Sequence, residues 1–330
     1  MKKFSFLLAV ILIILMTTSC TNNAEIKEPV ENPKEPIQVT IAGLKGPTSM
    51  GMIKIIDEKA LNSEEYKVDY VAEAAPDALS GKIINGEIQI SSVPINMASV
   101  LYNKTEGKVQ IMAVNTIGNL YIVGTDDISA ISDLDGKTLG MSGKGSTPDF
   151  AMNYILKQNN LESKVELDYS PDHATLAQAV IAEDSKVALL PQPFVTQTVM
   201  KNNNVKILID LNEAWKKSSN NASELYTGCI VINKEFAENN KEFVIEFLKQ
   251  YEASVNWVNK NPKDASILIE KNEIMPSAAL AEKAIPNSGI TFIPVNEVKE
   301  GLNSFYKVLF DFNPASIGGK MPDDSFYFAQ

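Results

Sequence analysis

The chain has 330 residues, 45% of them hydrophobic, with 30 basic against 41 acidic side chains and a net charge of −11. That balance argues against nucleic acid or an acidic polymer as partner, because either needs a basic footprint. One histidine and two cysteines, Cys20 and Cys229, form no cluster with zinc-ligand spacing, so neither a metal nor another cofactor is expected.

The chain opens on a targeting segment. Lys2 and Lys3 precede an apolar stretch over 4–16, too short to span a bilayer, and the run Leu15-Met16-Thr17-Thr18-Ser19-Cys20 closes it. Basic, apolar and small polar regions in that order read as a removable secretory signal over 1–19. A cysteine at the processing point resembles the bacterial lipobox, with Thr18-Ser19 in place of the usual small Ala/Gly pair. The resemblance implies that Cys20 becomes a diacylglyceryl-modified N-terminus, which places the protein outside the cytoplasm, lipid-anchored to the bacterial cell membrane. Several acyl chains on one residue supply the multiple anchors that stable attachment needs. The other reading is an ordinary signal peptide with an incidental cysteine.

Residues 20–36 carry Pro29, Pro33 and Pro36 among Glu, Asn and Lys, the composition of a disordered tether. Order begins with an apolar, β-branched run over 37–42. Gly46-Pro47-Thr48-Ser49 follows, then a helix with apolar positions Met52, Ile53, Ile56 and Ala60. Next come a strand over 66–71, a helix over 76–84, a strand over 88–93, a helix over 95–102 and a strand over 109–114. The same grammar restarts after Asp133-Leu134-Asp135-Gly136-Lys137. A strand over 138–142 leads through Gly143-Lys144-Gly145-Ser146-Thr147-Pro148 into a helix ending near 158. A strand over 164–169, a helix over 174–182, a strand over 186–190, a helix over 194–201 and a strand over 205–209 complete it. Alternation of this kind argues for βαβ units and a mostly parallel sheet in each half. The last third reads as mainly helical, with Phe243, Phe247, Tyr251, Val255 and Val258 on one amphipathic stripe.

Two residue counts bear on chemistry. There is no arginine, so planar bidentate clamping of a carboxylate, sulfonate or phosphate is impossible here. Cys229 has no intrachain partner if Cys20 is lipidated. It lies in the strand-like run Tyr226-Thr227-Gly228-Cys229-Ile230-Val231-Ile232 and reads as a buried small apolar residue rather than a nucleophile.

Several motifs in sequence order carry a resemblance. They are Gly46-Pro47-Thr48-Ser49-Met50-Gly51, Asn85-Gly86-Glu87-Ile88-Gln89-Ile90 leading to Val93-Pro94, and Asp133-Leu134-Asp135-Gly136-Lys137-Thr138. The 143–148 loop and Leu190-Pro191-Gln192-Pro193-Phe194 complete the set. Together, from residue 37 onward, they resemble the solute-binding proteins of ABC importers for nitrate, sulfonates, taurine and thiamine precursors. This chain has Gln192 where family members commonly carry Glu. The resemblance implies an α/β, type II periplasmic-binding-protein fold, two α/β lobes joined by two crossover strands. Lobe 1 is then 37–118 plus 228–330 and lobe 2 is 119–227, with hinge strands at 119–124 and 225–230, and closure around a ligand is the motion expected.

Open α/β sheets bind ligands beyond the carboxyl ends of their strands, a rule that selects loops without the resemblance. They are 45–50, 91–96 and 115–118 in one half and 142–148, 170–173 and 191–194 in the other. The candidate ligand contacts in the first half are Gly46, Pro47, Thr48, Ser49, Met50, Ser92, Asn96, Asn115 and Thr116. In the second half they are Ser146, Thr147, His173, Gln192 and Phe194, with Tyr226 and Thr227 near the boundary. Thr48-Ser49 and Ser146-Thr147 offer hydroxyls and amides at helix starts, which can hold an anion. Each reads equally as a plain cap, Thr147 with Pro148 at the first helical position and Thr48 likewise. Lys45 and Lys144 sit at matching places, either surface lysines or charge for a ligand. His173 reads as a surface or capping residue or as a ligand contact, and Phe194 as packing or an apolar wall. A set this rich in hydroxyls and amides suits a small organic solute better than nitrate, sulfate or a metal ion.

The expected function is therefore a binding module that passes its solute to an ABC permease with a cytoplasmic ATPase. It has no catalytic residue and is expected to be a monomer. Two alternatives stand beside it. One is an enzyme like the thiamine-pyrimidine synthase on the same fold, whose cysteine-rich iron motif this chain lacks. The other is a ligand-sensing lipoprotein that does not transport.

Overall fold

Ile37–Leu44 (β1) starts the first sheet, and Gly46, with φ 112°, then swings the chain into the one-turn helix Pro47–Met50 (α1). The computed structural model describes residues 35–329. The expected signal, Cys20 and nearly all of the tether lie outside the described residues.

After α1 come Ile53–Glu58 (α2), Tyr66–Glu73 (β2), Pro76–Ile84 (α3), Ile90–Pro94 (β3), Ile95–Lys104 (α4) and Val109–Ile117 (β4). The chain then builds a second sheet through Leu120–Gly124 (β5), Thr138–Met141 (β6), Thr147–Gln158 (α5), Glu166–Tyr169 (β7) and His173–Ile181 (α6). Val187–Pro191 (β8), Phe194–Lys201 (α7), Lys206–Asp210 (β9) and Leu211–Ser218 (α8) complete that part. It returns with Tyr226–Asn233 (β10), Lys234–Asn239 (α9), Lys241–Lys260 (α10), Pro262–Lys271 (α11), Ala278–Ala284 (α12), Ile290–Pro294 (β11) and Val295–Phe312 (α13).

Among the described residues the strands form a six-stranded sheet of order β11-β4-β10-β3-β1-β2 and a five-stranded sheet of order β7-β6-β8-β5-β9. Both are mixed, which corrects the expectation of mostly parallel sheets. The β1–β2, β1–β3, β6–β7 and β6–β8 pairs are parallel, whereas β10 runs antiparallel to β3 and β4, and β5 antiparallel to β8 and β9. β11 departs from the expectation of a mainly helical last third, because the helical periodicity around this short strand dominates the sequence there. It is an edge strand paired only with β4.

The chain passes between sheets at two adjacent places. Gly118 and Asn119 link β4 to β5, both at positive φ (70° and 56°), and Gly118 N–H donates to the Leu225 carbonyl at 2.8 Å, just ahead of β10. A non-glycine residue at 118 would be strained by that φ and would crowd Asn212. β5 lies wholly in the second sheet and β10, including Tyr226 and Thr227, wholly in the first.

α10 buries the expected stripe of Phe243, Phe247, Tyr251, Val255 and Val258, each worth about 1.5–3 kcal/mol on burial, against α2 and β11. A second apolar cluster runs through both sheets: Val114 and Val231 from one, Leu120 and Met141 from the other, and Phe305 and Tyr306 of α13. Trp215 of α8 packs on Phe305 at 5.2 Å between ring centroids, and Phe150 of α5 on Phe312 at 5.8 Å. These contacts join the two sheets, and a cleft lined by residues of both lies between them.

Candidate functional site

The cleft holds about 560 Å³ between the carboxyl ends of the two sheets. From the first sheet it takes Leu44, Lys45, Ala74 and Pro94, the start of α3 at Pro76, Asp77 and Ser80, and Thr227 of β10. Asn96, Val100 and Lys104 join them because residues four apart on α4 share a helical face, with Met97 beside them. From the second sheet come Asn119, Leu120 and Pro191, the loop into α5 from Gly145 to Pro148, and His173.

Of the expected contacts, the cleft gathers Asn96, Ser146, Thr147, His173 and Thr227. Thr147 Oγ1 donates to Asn96 Oδ1 at 3.2 Å, a bond across the cleft. Neither expected threonine is a cap. Ser146 precedes α5, Thr147 and Pro148 are its first two residues, Gly46 precedes α1, and no side-chain cap bond forms at either start. The loop is fixed from behind instead. Buried Asp149 accepts from Gly145 N–H at 2.7 Å, from Asn153 Nδ2 at 2.7 Å and from the Tyr169 hydroxyl at 2.5 Å. Burial and this carboxylate push the Tyr169 phenol up to about 12. Ser146 Oγ donates to the Gly143 carbonyl.

The remaining expected contacts lie outside the cleft lining, and each departure has a physical cause. Gly46, Pro47 and Thr48 form the α1 turn behind Lys45, and that turn is tied to the sheet by its own backbone. Asn115 Nδ2 donates to the Thr48 carbonyl at 3.0 Å and to Ser92 Oγ at 2.7 Å, and Ser92 Oγ also donates to the Thr48 carbonyl. Thr116 Oγ1 donates to Asn115 Oδ1 at 3.1 Å, and Ser49 Oγ to the Leu44 carbonyl. The hydroxyls and amide that suggested ligand binding thus hold α1 in place. Met50 is buried in the apolar cluster with α10, and Tyr226, 4% exposed, packs edge-on against Phe305 at 5.7 Å. Gln192, 2% exposed, turns its Oε1 to Thr196 N–H and Oγ1, and Phe194 packs beside His173 at 5.7 Å.

His173 Nδ1 bonds to Ser142 Oγ. Burial lowers the imidazole below its ordinary 6.5, with Asp172 acting the other way. Of the matched lysines, Lys45 lines the cleft while Lys144 lies over the Tyr169 ring, 5.0 Å from its centroid. Residues 74–80, expected only as the start of a helix, are not among the expected contacts. The strand-end rule applies to β2 as it does to β1, and would have named them. Among the described residues no group of His, Cys, Asp and Glu is placed to hold a metal ion. Cys229 is buried, which pushes its thiol up.

Two mixed α/β sheets, exchanged twice by the chain and facing each other across a cleft, are the type II periplasmic-binding-protein fold. Residues 63–265, more than half of the chain, match the family described as NMT1/THI5 like, and the chain belongs to that family. The structure is similar to that of an ABC transporter protein from Parabacteroides distasonis. The two are 24% identical with a TM-score of 0.76, over 88% of this chain and 99% of that one. It is also similar to the periplasmic aliphatic sulphonate binding protein of Escherichia coli, at 17% identity and TM-score 0.70 over 85% and 88% of the two chains. The periplasmic nitrate-binding protein of Synechocystis PCC 6803 follows at 13% and 0.57 over 80% and 74%. No curated protein matches the sequence.

Proposed function

We propose that this chain is an exported solute-binding lipoprotein. It captures a small organic solute between a lobe of 37–118 plus 226–330 and one of 119–225, residues 226 and 227 going with β10 to the first sheet and not to the second half as expected, and delivers it to an ABC permease with a cytoplasmic ATPase. The observation that carries the reading is the cleft itself. Its volume falls in the range of small-molecule pockets, and residues of both sheets line it, so a solute there touches both at once. The two adjacent passages at 118–119 and ahead of β10 supply a hinge about which such a site closes. The kinship with importer binding proteins supports the delivery step, and the signal and Cys20 support the anchored, extracytoplasmic location. No helix of the described residues is long and apolar enough to cross a membrane.

Native mass spectrometry of freshly purified protein, with thermal-shift screening of thiamine precursors, sulfonates, aromatic acids and nucleobases, tests the reading. A solute bound by the native chain and lost from Val100→Trp, which fills the cleft from α4, is the expected result. Equal binding by both proteins places the site elsewhere.

A further inference from the structure

A second gap lies between the two halves. It is a crevice of about 400 Å³, lined by Val195, Val199 and Met200 of α7 and Ile207 of β9 on one wall, and by Lys283 of α12 and Asn287 on the other. Strand order puts the hinge between this crevice and the cleft. In the first sheet β4 and β10 separate β11, just behind Asn287, from β3, β1 and β2, whose ends line the cleft. In the second sheet β5 separates β9 from β8 and β6. Tyr121 of β5 marks the boundary. Its hydroxyl donates to the Asn287 carbonyl at 3.1 Å, while Ile117 N–H donates to the Gly289 carbonyl at 3.0 Å. Ile117 and Tyr121 flank the 118–119 passage, so residues 287–289 are bonded to the chain on both sides of the hinge.

Two bodies that rotate about a line between two gaps narrow one as they widen the other. The crevice has a reason to narrow. Met200 is 43% exposed and Ile207 44%, although Val195 beside them is buried. Apolar surface left in water is driven together by any motion able to bury it. Narrowing brings both side chains toward the long apolar stem of Lys283, which can cover them while its charge stays in water.

Resting on the binding reading above, we infer that this crevice opposes the cleft: burial of Met200 and Ile207 against α12 holds the solute-free lobes open, and closure around a solute exposes them again. These residues thus set the affinity of the cleft without touching what it holds. A closed population raised from about 10% to about 50% tightens the apparent affinity about fivefold.

The test reads the resting angle of the lobes with no solute added. Asp77→Cys and Lys144→Cys, both exposed and one beside the cleft in each half, carry nitroxide labels in a Cys20→Ser chain, where the remaining thiol, Cys229, is buried. Pulsed electron paramagnetic resonance on dialysed protein gives the distance between them. Met200→Trp and Lys283→Trp wedge the crevice from its two walls at exposed positions, and Ile245→Trp, 62% exposed on α10 and away from the crevice, is the control. Both wedges are expected to shorten the distance and the control to leave it unchanged. A distance that stays the same or lengthens, a shift from only one wedge, or an equal shift in the control overturns the inference. Native mass spectrometry of the same chains separates it from the reading it rests on. Solute captured by wedge variants whose distance has not moved leaves the cleft standing and removes the role of the crevice. No solute captured by the wild type, with both wedges shortening the distance, removes the cleft reading and leaves the crevice in control of the lobe angle.

Discussion

Thr147 Oγ1 donates to Asn96 Oδ1 at 3.2 Å, and the two residues lie in the first turns of helices that rise from different sheets. The bond joins the two walls of the cleft. Asn96 is held in turn by its Nδ2, which donates to the Ser316 carbonyl at 3.4 Å. Thr147→Val keeps the shape and removes the donor. The expected outcome is a coupling of about 0.5–1.5 kcal/mol with Asn96→Ala in a double-mutant cycle on unfolding free energy. A coupling near zero would mean that the contact holds nothing.

Ser49 and Asn115 were candidate ligand contacts, and the structure turns them to structural work beneath α1. Asn115→Ala leaves Ser92 and the Thr48 carbonyl short of a buried partner, so stability should fall by about 1–3 kcal/mol. Chemical denaturation measures it. Solute affinity falling while the denaturation midpoint stays put would restore Asn115 to the ligand.

Gly228 lies where β10 passes beneath the α1 turn. A Cβ there would sit 2.6 Å from Asn115 Oδ1, 2.8 Å from Thr48 Cγ2 and 2.9 Å from Thr116 Oγ1. Gly228→Ala should cost about 1–3 kcal/mol through overpacking, read as a lowered melting temperature. A Tm equal to wild type would show that the three neighbours give way freely.

His173 makes stability depend on pH. Its folded pKa lies below the ordinary 6.5, so between the two values the unfolded chain binds the extra proton. The contribution is therefore whole above about pH 6.5 and is lost as pH falls through the lowered folded value. His173→Gln should flatten this part of the profile. A mutant whose stability declines as steeply as the wild type between neutral and mildly acid pH would assign the effect to other groups.

Cys20→Ser removes the only thiol able to form the lipid thioether at the expected processing point. The protein should move from the detergent phase to the aqueous phase on fractionation. Retention with membranes to the wild-type extent would reject the anchor.

Much of the fold was legible because periodicity is a local property. The α10 stripe, the alternation of strands and helices and the loops at strand ends all follow from residues close in sequence. The absence of arginine and the acidic balance likewise limit the chemistry of the site through composition alone. Strand direction was not legible, since β10 reaches β3 and β4 from more than a hundred residues away and nothing local fixes its sense. Nor was the use of each polar side chain. Ser49, Ser92 and Asn115 look like Ser146 and Thr147 in sequence, and what separates them is which carbonyl lies within reach once the sheet has formed. Asp149 shows the same limit from the other side. It reads as one more first-turn acid, but only the approach of Gly145, Asn153 and Tyr169 turns it into the group that holds the cleft loop. Residue type decides what a side chain is able to bond, whereas partners distant along the chain decide what it does bond, because buried polar groups must pair with whatever the packing brings near.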